Sequence, residues 1–295
     1  MSRKRLLSAA TIAAAFVACA GAYAADAAAL IGQSEQRLLA AEFDAADSLL
    51  AGALATAADD GEKLSLLLQR LRVGQAAQLS GAPLADQAPI IAEAESLAVA
   101  GDDPELAALT KLRAATSRYF AMLATAKETS DLAPAAELVD DFQHAADNLI
   151  APCPRANALF FAALIPQVLG EVSQSKVPLE DARALASQDD CLEELAYIDR
   201  HLAAVAEEEG DFKKARALNA SSVQLRREMG NQVFLPYALV YQGDLDAKAG
   251  DLASAEKNLG EALEIATARA LPSQRGAACR TAEGHGVALA GCAGE

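Results

Sequence analysis

A six-residue turn recurs along this chain and constrains its fold more than any other feature. At Gly250-Asp251-Leu252-Ala253-Ser254-Ala255 a small residue and an acid are followed by an apolar residue and, three positions later, an alanine. The same order stands 40 residues earlier at Gly210-Asp211-Phe212-Lys213-Lys214-Ala215, and near the start at Ala41-Glu42-Phe43-Asp44-Ala45-Ala46. Small or apolar residues then follow the alanine at helical spacing. They are Leu259, Ala262 and Leu263 in the last copy, Leu50, Ala53 and Leu54 in the first, and the looser set Asn219, Ser222 and Val223 in the middle one. A turn that feeds an amphipathic helix at a fixed period marks a stack of supersecondary units, none of which buries its apolar face alone.

Composition agrees with helices. The chain is 53% hydrophobic but only 4% aromatic, so its apolar mass is largely Ala and Leu, both strong helix formers. No sustained Val/Ile/Thr alternation marks a strand. Between the turn copies, proline and glycine punctuation divides the chain into further helical pairs: 63–79 with 89–100, 104–126 with 132–150, and 154–169 with 179–186, the last pair joined by a loop at "SQSKVP". With 28–57, 190–228 and 233–269, about six hairpins are expected.

This pattern resembles the tetratricopeptide repeat (TPR) family in its long-helix bacterial regulator form. The matching residues are Gly243, Gly250, Ala255, Leu259 and Ala262, with Ala46, Leu50, Ala53 and Ala215 in the other copies. Asp246 and Leu239 depart from it, standing where the family prefers aromatics. The resemblance implies an all-α, right-handed α-solenoid over residues 25–271. It also implies a concave groove, lined by the first helix of each hairpin, that takes a protein or peptide partner. The groove positions fall on Tyr197, Arg200, Ala204, Glu207 and Glu208 in the fifth hairpin, and on Tyr237, Val240, Asp244, Ala247 and Lys248 in the sixth. This mixed, largely acidic set differs from the Lys/Asn/Arg clamp used for chaperone tails and suits a basic or apolar segment. Residues 272–295, broken by Gly276, Gly284, Gly286 and Gly291, are expected to form a disordered tail outside the array.

Residues 1–24 read as a secretory signal: Arg3, Lys4 and Arg5, an apolar run from Leu6 to Val17, and a small-x-small site at Ala22-Tyr23-Ala24. A lipid anchor at Cys19 is the alternative. No later run is long enough to span a bilayer. The net charge of −16, more negative still without the basic signal residues, disfavours nucleic acid as a partner. Export leaves four cysteines in an oxidising compartment. None has C-x-x-C spacing, but Cys153 and Cys191 lie 38 residues apart, close to one repeat, each at the start of a first helix. Equivalent positions in adjacent repeats are neighbours, so a Cys153–Cys191 bridge is expected, with Cys279–Cys292 a further pairing.

Motifs for zinc hydrolysis, serine hydrolysis and phosphate loops are absent from the sequence. His144, His201 and His285 are scattered and expected on exposed helix faces. No enzyme activity, metal or cofactor is expected. The function expected is an exported interaction scaffold. The alternative is the exported sensor portion, truncated or severed, of a membrane signalling protein such as a diguanylate cyclase.

Overall fold

A computed structural model describes residues 27–84 and 86–292. The expected signal segment and Cys19 lie outside the described residues. Among the latter, helices alternate with tight turns and no strand occurs. The order is α1 (27–39), α2 (Phe43–Leu54), α3 (Asp60–Leu79), α4 (Ala88–Ala100), α5 (Pro104–Thr125), a 3₁₀ segment (Thr129–Leu138), α6 (Val139–Asn148), α7 (Pro152–Val168), α8 (Val172–Gln188), α9 (Leu192–Glu208), α10 (Phe212–Glu228), α11 (Leu235–Lys248), α12 (Leu252–Ala268) and α13 (Pro272–Gly284). The first twelve helices make six antiparallel hairpins stacked side by side as an α-solenoid. Odd-numbered helices line the inner face.

The repeat is visible in the backbone. Gly170, Gly210 and Gly250, 40 residues apart, all take positive φ and turn each inner helix into its outer one. Asp190, Gly230 and Ala270, again 40 apart, do the same between hairpins. After the turns at Gly210 and Gly250 an aspartate caps the outer helix: Asp211 and Asp251 each accept a hydrogen bond from the backbone N–H three residues on. Small residues then let the two helices close: Ala46, Ala215, Ala255, Leu259 and Ala262 are fully buried, as is Leu50, and Ala53 nearly so. Gly243 is a close approach of the two helices of this hairpin, where an added Cβ would lie 2.6 Å from Leu259 Cγ. Gly250 is an exposed turn residue instead.

Asp246, one of the departures from the repeat pattern, is a hydrogen-bonded polar residue. Asp246, 2% exposed, accepts hydrogen bonds from Arg216 Nε (2.7 Å), Gln242 Nε2 (3.1 Å) and Asn258 Nδ2 (2.8 Å). In the looser copy, Asn219 Nδ2 donates to the Ala238 carbonyl at 2.9 Å and Ser222 Oγ to the Ala196 carbonyl at 2.6 Å. Polar residues thus replace apolar ones where neighbouring groups offer a hydrogen-bond partner, side chains for Asp246 and backbone carbonyls for Asn219 and Ser222.

Two segments differ from the sequence expectation. The stretch "SQSKVP" is not a loop: it lies inside α8, which starts at Val172 because the turn is Gly170-Glu171. Ser175 packs there, fully buried, as Ala215 and Ala255 do in their repeats. Residues 272–284 are not a disordered tail but helix α13, which packs on α11 and α12 through Ala278, Cys279 and Ala282. Its glycines fall on turns or weakly packed faces, so they do not break it.

Helix α13 also brings the two ends of the array together. Ser273 N–H donates to the Ser80 carbonyl at 3.2 Å, and Gln274 Nε2 to Ser80 Oγ and the Val233 carbonyl at 3.0 Å each. Tyr237 Oη donates to the Leu79 carbonyl at 2.8 Å, and Gln232 N–H to the Leu39 carbonyl at 2.7 Å. Leu38, Phe43, Leu66, Phe234 and Leu271 share one apolar cluster across this seam. The superhelix is therefore closed on itself.

Candidate functional site: the inner face and its rim

Closure turns the concave groove into an enclosed channel filled largely by side chains. At its middle, Arg72 on α3 is held between two carboxylates. Its Nη2 donates to Glu35 Oε1 at 2.7 Å and to Glu193 Oε2 at 2.5 Å, and its Nε to Glu35 Oε2 at 2.8 Å. Burial alone would raise the Glu35 carboxyl; the Arg72 hydrogen bond and charge, with a bond from Gln69, outweigh it and hold the pKa at about 2. Arg113 on α5 faces the same space. Burial first, then the like charge of Arg72, brings it down to about 10.

A cavity of about 30 Å³ lies among Arg72, Arg113, Thr116, Asn157, Phe161 and Glu193, room for a water molecule or two. Asn157 Oδ1 and Glu193 Oε1 are buried without a hydrogen-bond partner among the described residues. Arg226 from α10, 1% exposed, reaches inward and lies 4.7 Å over the Tyr197 ring and 5.5 Å from that of Phe234. Desolvation lowers its pKa to about 10. Tyr197 also stacks on Phe160, with centroids 5.6 Å apart.

The expected groove residues divide between this filled interior and one mouth of the channel. Tyr197, Arg200 and Tyr237 belong to the interior. Arg200 lies 5.4 Å from the Tyr241 ring, and Tyr237 spends its hydroxyl on the closing seam. Val240 packs beside the α11–α13 core. Glu207, Glu208, Asp244 and Lys248 stand at the carboxyl ends of α9 and α11, on the rim. Lys248 Nζ donates to Glu207 Oε1 at 2.6 Å and Asp244 Oδ2 at 2.7 Å. Tyr241 Oη donates to Glu207 Oε2 at 2.7 Å. His285, beyond α13, meets Asp244 Oδ1 through Nε2 at 2.7 Å. Glu208 is exposed.

His144 is exposed, but His201 is not on an exposed face. Its Nδ1 faces Gln167 Oε1 at 2.5 Å and its Nε2 faces Arg200 Nη1 at 3.3 Å. Desolvation, then the charges of Arg200 and Arg226, push its pKa well below the usual value, so Nδ1–H donates and Nε2 accepts. Sequence reading missed Arg72, Arg113, Asn157 and Arg226; Arg72, for one, has its partners Glu35 and Glu193 in other hairpins.

The structure joins Cys153 to Cys191, with S–S 2.07 Å and Cα–Cα 5.3 Å, and Cys279 to Cys292, with S–S 2.04 Å. No helix among the described residues is long and apolar enough to cross a membrane.

No protein-family model and no curated protein sequence matches the chain. Among solved structures it is similar to a signal transduction ATPase with a tetratricopeptide repeat sensor from Pyrococcus horikoshii, at TM-score 0.46 and 13% identity, over 83% of this chain and 37% of that one. It is similar to a Rap protein complexed with competence and sporulation factor, at TM-score 0.45 and 14% identity, over 88% of this chain and 87% of that one. BtubC from P. vanneervenii gives 0.44 and 16%, over 83% and 89%. The fold assignment rests on the chain's own helices and their 40-residue turns.

Proposed function

We propose that the chain is an exported, non-catalytic scaffold that binds a basic protein segment at the α9–α11–α13 rim. The observation that carries this reading is the rim itself. Glu207 and Asp244 are fixed in place by Lys248, Tyr241 and His285, and Glu208 stands exposed beside them; Glu209 is paired with Lys176. Lys248 alone cannot neutralise Glu207, Glu208 and Asp244, and the chain as a whole carries −16, so a Lys/Arg-rich segment is the complementary ligand. The filled interior favours the rim over the full concave groove as the docking place. Two disulfides suit a periplasmic or secreted location after cleavage near Ala24.

The test is binding of lysine- and arginine-rich peptides, measured by interferometry, to wild type and to Glu207→Lys/Glu208→Lys. The double reversal should weaken binding about ten-fold and flatten its salt dependence. Equal affinity for both proteins would refute the rim as the site. A second reading, a sensing portion of a larger signalling protein, is favoured by the central cavity with its unpartnered Asn157 Oδ1 and Glu193 Oε1. A shift in melting temperature with small polar solutes, lost in Asn157→Leu, would support it; no shift with any of them would count against it.

A further inference from the structure

The Cys153–Cys191 bridge sits in surroundings that a purely structural cystine does not need. Cys153 is the second residue of α7, after Pro152, and Cys191 immediately precedes α9. Each sulfur thus lies at the amino end of a 17-residue helix, where unpaired N–H groups and the helix dipole favour a thiolate. The two sulfurs are not equivalent. Cys191 is 3% exposed within the core, whereas Cys153 is only partly buried at its edge.

A third group completes the site. A carboxylate oxygen of Glu194, in the first turn of α9, and both sulfurs lie within 4.8 Å of one another. Arg72 is already taken by Glu35 and Glu193, and among the described residues Glu194 has no ion pair of its own. Burial, then the charge of Glu193, pushes the Glu194 carboxyl up to about 7, with Arg72 and Arg113 opposing more weakly. On the helices packed against α9, Arg155 of α7 is exposed, Arg183 of α8 pairs with Asp199, and Arg226 of α10 lies over Tyr197. The cystine therefore has a proton carrier beside it that works near neutral pH.

We propose that Cys153–Cys191 is a thiol–disulfide exchange centre whose substrate is a dithiol, with Cys153 the sulfur attacked, Cys191 the leaving sulfur and Glu194 its proton donor. One thiol of the substrate releases its proton to solvent, and the thiolate attacks Cys153 Sγ along the S–S axis. A mixed disulfide forms as the Cys153–Cys191 bond breaks, its electron pair leaving on Cys191. Glu194 gives Cys191 a proton and becomes a carboxylate, which then takes the proton of the substrate's second thiol. That thiolate attacks the substrate sulfur of the mixed disulfide, closing the substrate's own disulfide and expelling Cys153, which is protonated from solvent. The dithiol is oxidised by two electrons and the cystine is reduced by two.

Cys279–Cys292 serves as an internal comparison, because no His, Asp or Glu among the described residues completes such a trio there. The oxidised full chain is treated with dithiothreitol between pH 5.5 and 8.5, quenched with iodoacetamide and mapped by peptide mass. Cys153–Cys191 should open about ten-fold faster than Cys279–Cys292, and its rate per dithiothreitol thiolate should fall as pH rises through about 7. In Glu194→Gln that fall should vanish and the rate at pH 6 should drop about ten-fold or more. Equal rates at the two cystines, or a flat wild-type profile per thiolate, would overturn the proposal. The wild-type profile decides it even if the glutamine variant fails to fold.

Discussion

The closing seam gives a sharp test of how this array holds its shape. Gln274 is fully buried, and its Nε2 donates to Ser80 Oγ and the Val233 carbonyl at 3.0 Å each. Gln274→Ala removes two hydrogen bonds worth about 1 kcal/mol each and leaves the Val233 carbonyl without that donor, at about 1–3 kcal/mol. Against this, Gln274 Oε1 already lacks a partner, so deleting it returns part of the loss. The balance is about 2–3 kcal/mol of destabilisation. Urea unfolding followed by circular dichroism should show it as a lower midpoint. Hydrogen exchange should accelerate first at the Gln232 and Ser273 amides, which donate to Leu39 and Ser80 across the seam. Gln274→Glu keeps the shape and loses the donor, so it should cost at least as much. An unchanged midpoint in both variants, or acceleration spread evenly along the array, would refute closure as a source of stability.

Three further outcomes follow from the interior. Stability should rise from pH 2 to about 4.5, because Glu35, held at about 2 when folded, loses its ion pair as pH falls through that range; the Glu194 contribution should then fall towards pH 7, because its carboxyl is raised to about 7 and resists ionising, against the opposite, rising contribution of His201, whose imidazole is held neutral in the fold. Chemical denaturation across this range checks both limbs, and Glu194→Gln should remove the second alone. Arg226→Met should be neutral or stabilising by up to about 2 kcal/mol, since it removes a buried charge whose partners are ring faces, the Tyr197 side chain, a 3.3 Å contact to Ser222 Oγ and the more distant Glu193 charge; a loss above about 2 kcal/mol in thermal unfolding would show that those partners contribute more. Gly243→Ala should cost about 1–2 kcal/mol, as its Cβ meets Leu259 Cγ at 2.6 Å despite the better helix propensity of alanine; a gain in melting temperature would refute the close-packing reading.

Much of the outer architecture was legible because it is written locally. The turn at Gly210 and Gly250, the buried alanines after it and the 40-residue period are short-range features that periodicity reads directly. Gly170-Glu171-Val172 carries the same turn, with Ser175 in the alanine position, and reading serine as a small packing residue would have placed the start of α8. The helix over 272–284 was hidden because its packing partners, Ser80 and Val233, are 194 and 41 residues from Gln274. The inner site was least legible of all. Arg72 and Glu193 are separated by 121 residues and meet only when the superhelix closes, and Cys153 and Glu194 form a trio with Cys191 that no linear motif spells.

The seam between Ser80 and Gln274 also bears on how such a chain can change over time. An open stack of hairpins can gain or lose units by duplication, since each new unit finds the same neighbour surface. Here one extra 40-residue unit would carry α13 past Ser80 and expose the apolar seam at Phe43, Leu66 and Phe234. The number of hairpins is therefore locked by the meeting of the ends, and variation is confined to residues that leave the count untouched.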